Sequence, residues 1–253
     1  MDFDDAMNYA LEYITWRFRV SKFSFLAPSK TKRFQHACNT VKTFADRFVR
    51  LALDPEYKAP EGKYVFLNEL KKETQDPVEL RDQVLHLLIA GRDTTSSLLS
   101  WTLLLLARHA NEFANLRAAI IAQFGTESSP KEELTFASLK ACKPLTHILY
   151  EVSRLYPVIS MNARVALKDT FLPTGGGVDR KQPVAVMKGE QVGYSAYVMQ
   201  RRHDIWGEDA DEFRPARWEG RKLGWDFIAF SGGPRVCVGR KSSIFSFDLR
   251  EEE

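Results

Sequence analysis

Phe230-Ser231-Gly232-Gly233-Pro234-Arg235-Val236-Cys237-Val238-Gly239 is the stretch on which the reading of this chain turns. A glycine pair and a proline precede the cysteine, and a third glycine follows two residues later. Such a loop can bend tightly and aim backbone N–H groups at a thiolate, which favours its charged form. Zinc suits the loop poorly, because no second cysteine or histidine stands nearby to complete four ligands. Taken alone, a cysteine in a glycine-rich loop is more often inert than a ligand, so the rest of the chain has to decide.

Working outward, the 253 residues suffice for one to two domains. An apolar fraction of 44% with 27% charged residues excludes collagen-like, low-complexity and wholly disordered chains. Thirty-six Lys and Arg against 33 Asp and Glu leave +3, too slight an excess to make nucleic acid the partner. Cys38, Cys142 and Cys237 are too few and scattered for a disulfide framework, which suits a reducing, intracellular compartment. Met1-Asp2-Phe3-Asp4-Asp5 is acidic where a signal peptide would be basic. The longest uncharged run, Thr94 to Ala107, is 14 residues. A membrane span needs about 20, so none is expected in this chain.

Periodicity predicts helices first and strands later. An aromatic-rich helix is expected over 3–27, with Ala6, Tyr9, Ala10, Tyr13 and Trp16 at helical spacing. That stripe reads as core-facing, or, if exposed, as a lipid or entrance contact. A second helix follows through Phe34, Val41, Phe44, Phe48 and Leu51, with Cys38 packed within it. Asp76-Pro77 opens a long helix running to about Ala107, apolar on nearly all sides from Val84 and expected to cross the protein centre. Further helices are predicted over 112–124 and 143–155. Strands are predicted at Ala163–Leu167, Pro183–Met187 and Gln191–Val198, around Gly175-Gly176-Gly177. The fold class is therefore mainly α with a small β-sheet portion.

Three further clusters carry chemistry. Glu151 and Arg154 stand at i and i+3, where a carboxylate and a guanidinium can pair on one helix face. Their apolar neighbours lean towards burial, which calls for a further partner, and Arg217 in Phe213-Arg-Pro-Ala-Arg-Trp218 is the candidate. A solvated pair with Arg217 on the surface is the alternative. Within the long helix, Ala90-Gly91-Arg92-Asp93-Thr94-Thr95 places charge beside a glycine. The Thr94 hydroxyl can bond the Ala90 carbonyl, loosen the helix and leave a polar notch into which Asp93 relays protons; a satisfied polar kink is the competing reading. Arg164, His203 and Arg235 are bases able to meet anionic groups such as haem propionates, or plain surface charges. For Cys237, a single axial thiolate on haem iron suits the loop.

Together these motifs resemble the C-terminal half of a cytochrome P-450, a haem-thiolate monooxygenase. Phe230-x-x-Gly233-x-Arg235-x-Cys237-x-Gly239 resembles that family's cysteine loop, and Glu151-x-x-Arg154 its K-helix pair. Pro215-Ala216-Arg217-Trp218 is similar to its meander motif, and Ala90-Gly91-x-Asp93-Thr94-Thr95 to its oxygen groove. The likeness covers residues 3 to about 240. It is strongest to fungal alkane and fatty-acid hydroxylases, through Tyr64–Leu70, Arg92–Trp101 and Leu172–Gly177.

The resemblance implies haem b with Cys237 as the metal ligand, its electron push favouring O–O cleavage. It implies proton delivery by Asp93 and Thr94, and a structural triad of Glu151, Arg154 and Arg217 behind the haem. Arg164, His203 and Arg235 become propionate partners, with Phe230 and Gly239 completing the cofactor site. The implied partners are an NADPH-dependent reductase, O2 and a small apolar substrate, a fatty acid or n-alkane. The cytochrome P-450 fold is incomplete: residues 1–240 form a partial domain lacking the family's N-terminal half, and 241–253 read as a divergent, frayed tail in place of most of the last helix. A full-length relative would sit at the endoplasmic-reticulum membrane. The alternatives are a non-catalytic family fragment and, less favoured because Asp93-Thr94 suits oxygen activation, a haem-thiolate peroxide isomerase.

Overall fold

The computed structural model describes residues 1–20, 31–57 and 66–239. They divide into two compact units, Met1–Arg92 and the described residues from Asp93 onward.

In the first unit, α1 (Phe3–Val20) packs on α2 (Lys32–Leu53), followed by α3 (Phe66–Glu73) and the first part of α4 (Pro77–Arg108). Small side chains form the α1–α2 seam. Ala6, Met7 and Ala10 meet Ala37, Val41 and Ala45, and Leu85 of α4 completes the cluster. Cys38 packs, partly buried, against it. The aromatic stripe of α1 faces inward at first: Tyr13 stacks on Phe34 at 4.5 Å, whereas Trp16 is 46% exposed. The helix predicted to reach residue 27 is described to Val20, and the remainder lies outside the described residues, as do Tyr64 and the tail 241–253. The N-terminus of α4 is capped as its sequence demands, with Asp76 Oδ1 accepting from the Val78 N–H at 2.9 Å.

In the second unit, α4 continues into α5 (Ala110–Phe124), the short hairpin of β1 (Gly125–Thr126) and β2 (Ser129–Pro130), α6 (Phe136–Ala141) and α7 (Lys143–Leu155). The core here is Leu98, Leu105, Leu106, Leu116, Ile148 and Val152. Two antiparallel pairs follow. β3 (Met161–Val165) pairs with β6 (Gln191–Ser195), and β4 (Thr170–Gly176) with β5 (Gln182–Val186). Then come two short helices, α8 (Ala196–Met199) and α9 (His203–Trp206), and 3-10 turns at Pro215–Trp218 and Gly233–Arg235.

Three expectations need correction. First, α4 is not enclosed on all sides: Leu87, Leu99, Leu103 and Leu104 are 45–68% exposed, while Leu80, Leu85, Leu98, Leu105 and Leu106 are buried. Its all-round apolar sequence reports what could be covered, and the described residues cover only part of that surface. Second, α4 runs unbroken through 90–95 without the expected loosening. A threonine bond to a carbonyl one turn back can be made inside a regular helix. Third, residues 196–198 are helical rather than strand, because Ser195 Oγ accepts from the Val198 N–H at 3.2 Å and caps a new turn. The strand β4 was hidden by its own glycines. Gly176 approaches the β5 backbone so closely that a Cβ would stand 2.7 Å from the Pro183 carbonyl oxygen.

Among the described residues no helix is long and apolar enough to cross a membrane.

Candidate functional site

The last two turns of α7 bury two opposite charges completely. Glu151 and Arg154 are both 0% exposed. Arg154 Nε donates to Glu151 Oε2 and Nη2 to Oε1, each at 2.9 Å. The other donors reach main-chain carbonyls far along the chain: Gln200 at 2.8 Å, Ala210 at 2.6 Å and Glu212 at 3.1 Å. All five guanidinium N–H groups are thus used, the condition under which burying the charge is tolerable.

Glu151 is equally saturated. Besides Arg154, its carboxylate accepts from the Arg214 N–H at 3.0 Å, Arg217 Nε at 3.3 Å and Trp218 Nε1 at 3.0 Å. Arg217 also donates through Nη1 to the Trp206 carbonyl and Asp209 Oδ1, both at 2.9 Å. Burial works against its charge, but the Asp209 and Glu151 carboxylates outweigh that and raise its pKa. The same hydrogen bond holds the Asp209 carboxyl below its ordinary value. Trp206, Ala210 and Trp218 roof the network with Tyr150 and Phe227 beside them. The structure therefore brings Glu151, Arg154 and Arg217 together around one carboxylate.

The cysteine loop stands at the surface of the same unit. Cys237 is a free, exposed thiol. Its N–H donates to the Phe230 carbonyl at 2.9 Å, and the Val236 N–H to the Gly233 carbonyl at 3.0 Å. These two amides close the loop on itself instead of pointing at the sulfur. Gly232 leaves room for the Trp225 ring: a Cβ there would come within 2.5 Å of Trp225 Cζ3. Ser231 adopts φ 62°, a left-handed conformation uncommon for a non-glycine residue. Its hydroxyl lies 3.3 Å from Tyr194 OH and 3.4 Å from Arg164 Nη2. The β3–β6 register, with Asn162 opposite Tyr194, sets Arg164 diagonal to Tyr194 and its guanidinium 5.5 Å above that ring.

So Arg164 is drawn to the cysteine loop, Arg235 is exposed within it, and Phe230 and Gly239 are half-buried at its ends. His203 is placed differently. Its Nε2 lies 3.3 Å from Asp211 and its Nδ1 3.7 Å from Glu208, so both ring nitrogens already face carboxylates. Asp93 is exposed and Thr94 half-buried on α4.

Several members of this assembly are invisible to sequence reasoning. In the sequence Trp218 stands only as part of a motif, and nothing marks its indole as a Glu151 donor. Asp209 carries no signal, since residues 201–225 lack periodicity, and Gln200 stands just before them, outside any predicted element. The main-chain carbonyls that hold Arg154 have no side-chain identity to read.

The sequence model of the family described as Cytochrome P450 matches residues 3–244. The chain is 48% identical over 219 residues to cytochrome P450 monooxygenase g430 of Fusarium sp, covering 83% of this chain and 38% of that protein. It is 46% identical over 248 residues to cytochrome P450 52E1 of Candida apicola, covering 96% of this chain and 47% of the relative. To cytochrome P450 52A12 of Debaryomyces hansenii it is 44% identical over 250 residues, 96% of this chain and 48% of the relative. The chain thus spans about half the length of the curated relatives it matches, or less. A crystal structure of a cytochrome P450 (CYP102L1) shares the fold, with a TM-score of 0.76 at 23% identity over 96% of this chain and 55% of that one.

Proposed function

The chain belongs to the cytochrome P450 family, and on that premise we propose that it carries the haem-ligating part of a monooxygenase that inserts one oxygen atom from O2 into an aliphatic C–H bond. The observation that carries this reading is Cys237: a free, exposed thiol on a hydrogen-bonded loop, with Arg164 drawn to that loop from β3. One soft anionic ligand flanked by exposed guanidiniums fits a macrocycle that offers one metal position and two carboxylates. When bound, haem supplies the oxidising chemistry and the protein supplies ligation, orientation and shielding from water.

In this reading Cys237 would hold the haem iron through its sulfur, and Phe230 and Gly239 bound its loop. Arg164 and Arg235 are the propionate partners. His203 is left out, since a further anion there would join two carboxylates already facing it. Asp93 and Thr94 move a proton at the Thr94 hydroxyl. Glu151, Arg154 and Arg217 hold the wall behind the loop, within residues 1–240 read as the part of the family's domain present in this chain. The substrate class, a fatty acid or n-alkane, rests on the resemblance of Arg92–Trp101 and Leu172–Gly177 to fungal hydroxylases. An NADPH-dependent reductase would supply the electrons, and the whole protein would work at the endoplasmic-reticulum membrane.

One observation favours a second reading, a family fragment without activity: Leu99, Leu103 and Leu104 leave an apolar face of α4 at 46–68% exposure. The experiment that separates the two is a carbon-monoxide difference spectrum of the reduced chain after haem addition. A thiolate-type Soret band that vanishes in Cys237→Ala is the expected result. No haem uptake by the chain overturns the catalytic reading in favour of the fragment. In the full-length protein, Thr94→Ala should uncouple oxygen consumption from product, and unchanged coupling removes the role given to Thr94.

A further inference from the structure

Gln200 is fully buried between the end of α7 and the start of the cysteine loop. Its amide Nε2 donates to the Ser153 carbonyl at 3.2 Å and the Arg154 carbonyl at 3.0 Å. These belong to the last turn of α7, whose carbonyls have no partner within the helix. Its Oε1 accepts from the Ile228 N–H at 2.8 Å. The amide orientation is dictated by chemistry, because the flipped form would set N–H against N–H at Ile228 and oxygen against oxygen at α7. Its main-chain carbonyl also takes the 2.8 Å bond from Arg154 Nη1. One side chain thus ties the buried ion-pair helix to Ile228, two residues before Phe230.

From Ile228 the constraint passes down the loop in short steps. The Ser231 N–H donates to the Ile228 carbonyl at 2.9 Å, closing a turn that ends in the left-handed Ser231. Phe230, inside that turn, offers its carbonyl to the Cys237 N–H at 2.9 Å. The cysteine backbone is therefore set by a turn whose first residue hangs from Gln200.

We propose that Gln200 is a positioning residue for Cys237, holding the cysteine loop in register with the C-terminal end of α7 through the Ile228 amide. The inference rests on the reading of Cys237 as the haem ligand and adds a residue that acts on it without touching haem. An apolar residue of equal size at 200 would take the side-chain partner from two buried carbonyls and one half-buried N–H.

Residue-resolved amide hydrogen exchange on the full chain, with no haem present, tests it. In Gln200→Met the Ile228 amide should exchange at least about fivefold faster, as expected for loss of one hydrogen bond. Cys237 alkylation by iodoacetamide, followed by peptide mass spectrometry, should move towards the rate of a free peptide spanning residues 228–239. Gln200→Glu in its protonated form keeps an oxygen for Ile228 and one donor for the α7 carbonyls, and should keep more of the Ile228 protection than Gln200→Met. The proposal is overturned if Ile228 and Cys237 behave in Gln200→Met as in the parent chain. Equal acceleration at Val152 and Ile228 in both variants also overturns it, since that is a general loss of structure. Should Gln200→Met not fold, the parent chain decides. Its Ile228 amide must exchange at least about tenfold slower than that of Val238 on the exposed side of Cys237, and equal rates overturn the proposal. Failure of the parent chain to take up haem would count against the catalytic reading alone, because none of these measurements requires haem.

Discussion

Arg154 grips Glu151 with two of its five N–H donors and spends the other three on the carbonyls of Gln200, Ala210 and Glu212, 46 to 58 residues further on. The pair is less a bond within α7 than a nail through it, fixing the irregular segment that leads to the cysteine loop.

Removing one partner of such a pair leaves an uncompensated buried charge, which costs about 3–5 kcal/mol. Glu151→Gln and Arg154→Met should each lower the urea midpoint accordingly, read by fluorescence of the buried Trp206 and Trp218. Arg154→Lys should do little better, because an ammonium cannot reproduce the planar five-donor fork. A lysine variant as stable as the parent would show that charge alone suffices.

Ser231 sustains φ 62° with a side chain that ordinarily avoids it. Ser231→Val adds β-branching to that conformation and loses the hydroxyl near Tyr194, so a cost of roughly 1–2 kcal/mol is expected. Ser231→Asn suits the left-handed region and can still reach Tyr194. Limited proteolysis between Phe230 and Cys237 is the readout: faster for valine, equal or slower for asparagine. The reverse order would mean that the loop is set elsewhere.

Asp209 titrates below its ordinary value because Arg217 donates to it. For a carboxyl whose pKa is depressed on folding, the stability gained is present above the unfolded value and lost as pH falls through the folded one. Thermal stability of the chain should therefore drop below the ordinary carboxylate range. Asp209→Asn should flatten that acid limb while lowering stability at neutral pH. An unchanged acid profile in the variant would contradict the pairing with Arg217.

His147 on α7 is held below the usual imidazole value of 6.5, chiefly by burial, with Glu219 opposing the shift and Lys143 adding to it. Its NMR titration should be depressed, and Glu219→Gln should depress it further. Folding favours the neutral ring, so this contribution falls as pH drops from the unfolded value towards the folded one. A rise of the His147 pKa in Glu219→Gln would refute the assignment of Glu219 as its neighbour.

Local chemistry was legible where it repeats. The i, i+3 spacing of Glu151 and Arg154 announced a pair, Asp76-Pro77 announced the start of α4, and the glycines around Cys237 announced a tight loop. The third partner, Arg217, was reachable by asking what a buried pair would need. Gln200, Asp209 and the indole of Trp218 were not, because each meets its partner 8 to 67 residues away along the chain, at no spacing that a local pattern marks. His203 shows the converse: a base in a plausible place in the sequence, with Asp211 and Glu208 as its observed neighbours.

By itself the amino-acid order determined the long helices, the tight cysteine loop and the family, since these depend on spacing and on residues a few positions apart. Only the tertiary structure decided which leucines of α4 are buried, where Arg154 spends its donors, and that Gln200 bridges α7 to the loop. A buried charge or amide must satisfy every donor and acceptor it carries. The groups that do so are mostly main-chain atoms, brought there by folding and unmarked in any side-chain pattern.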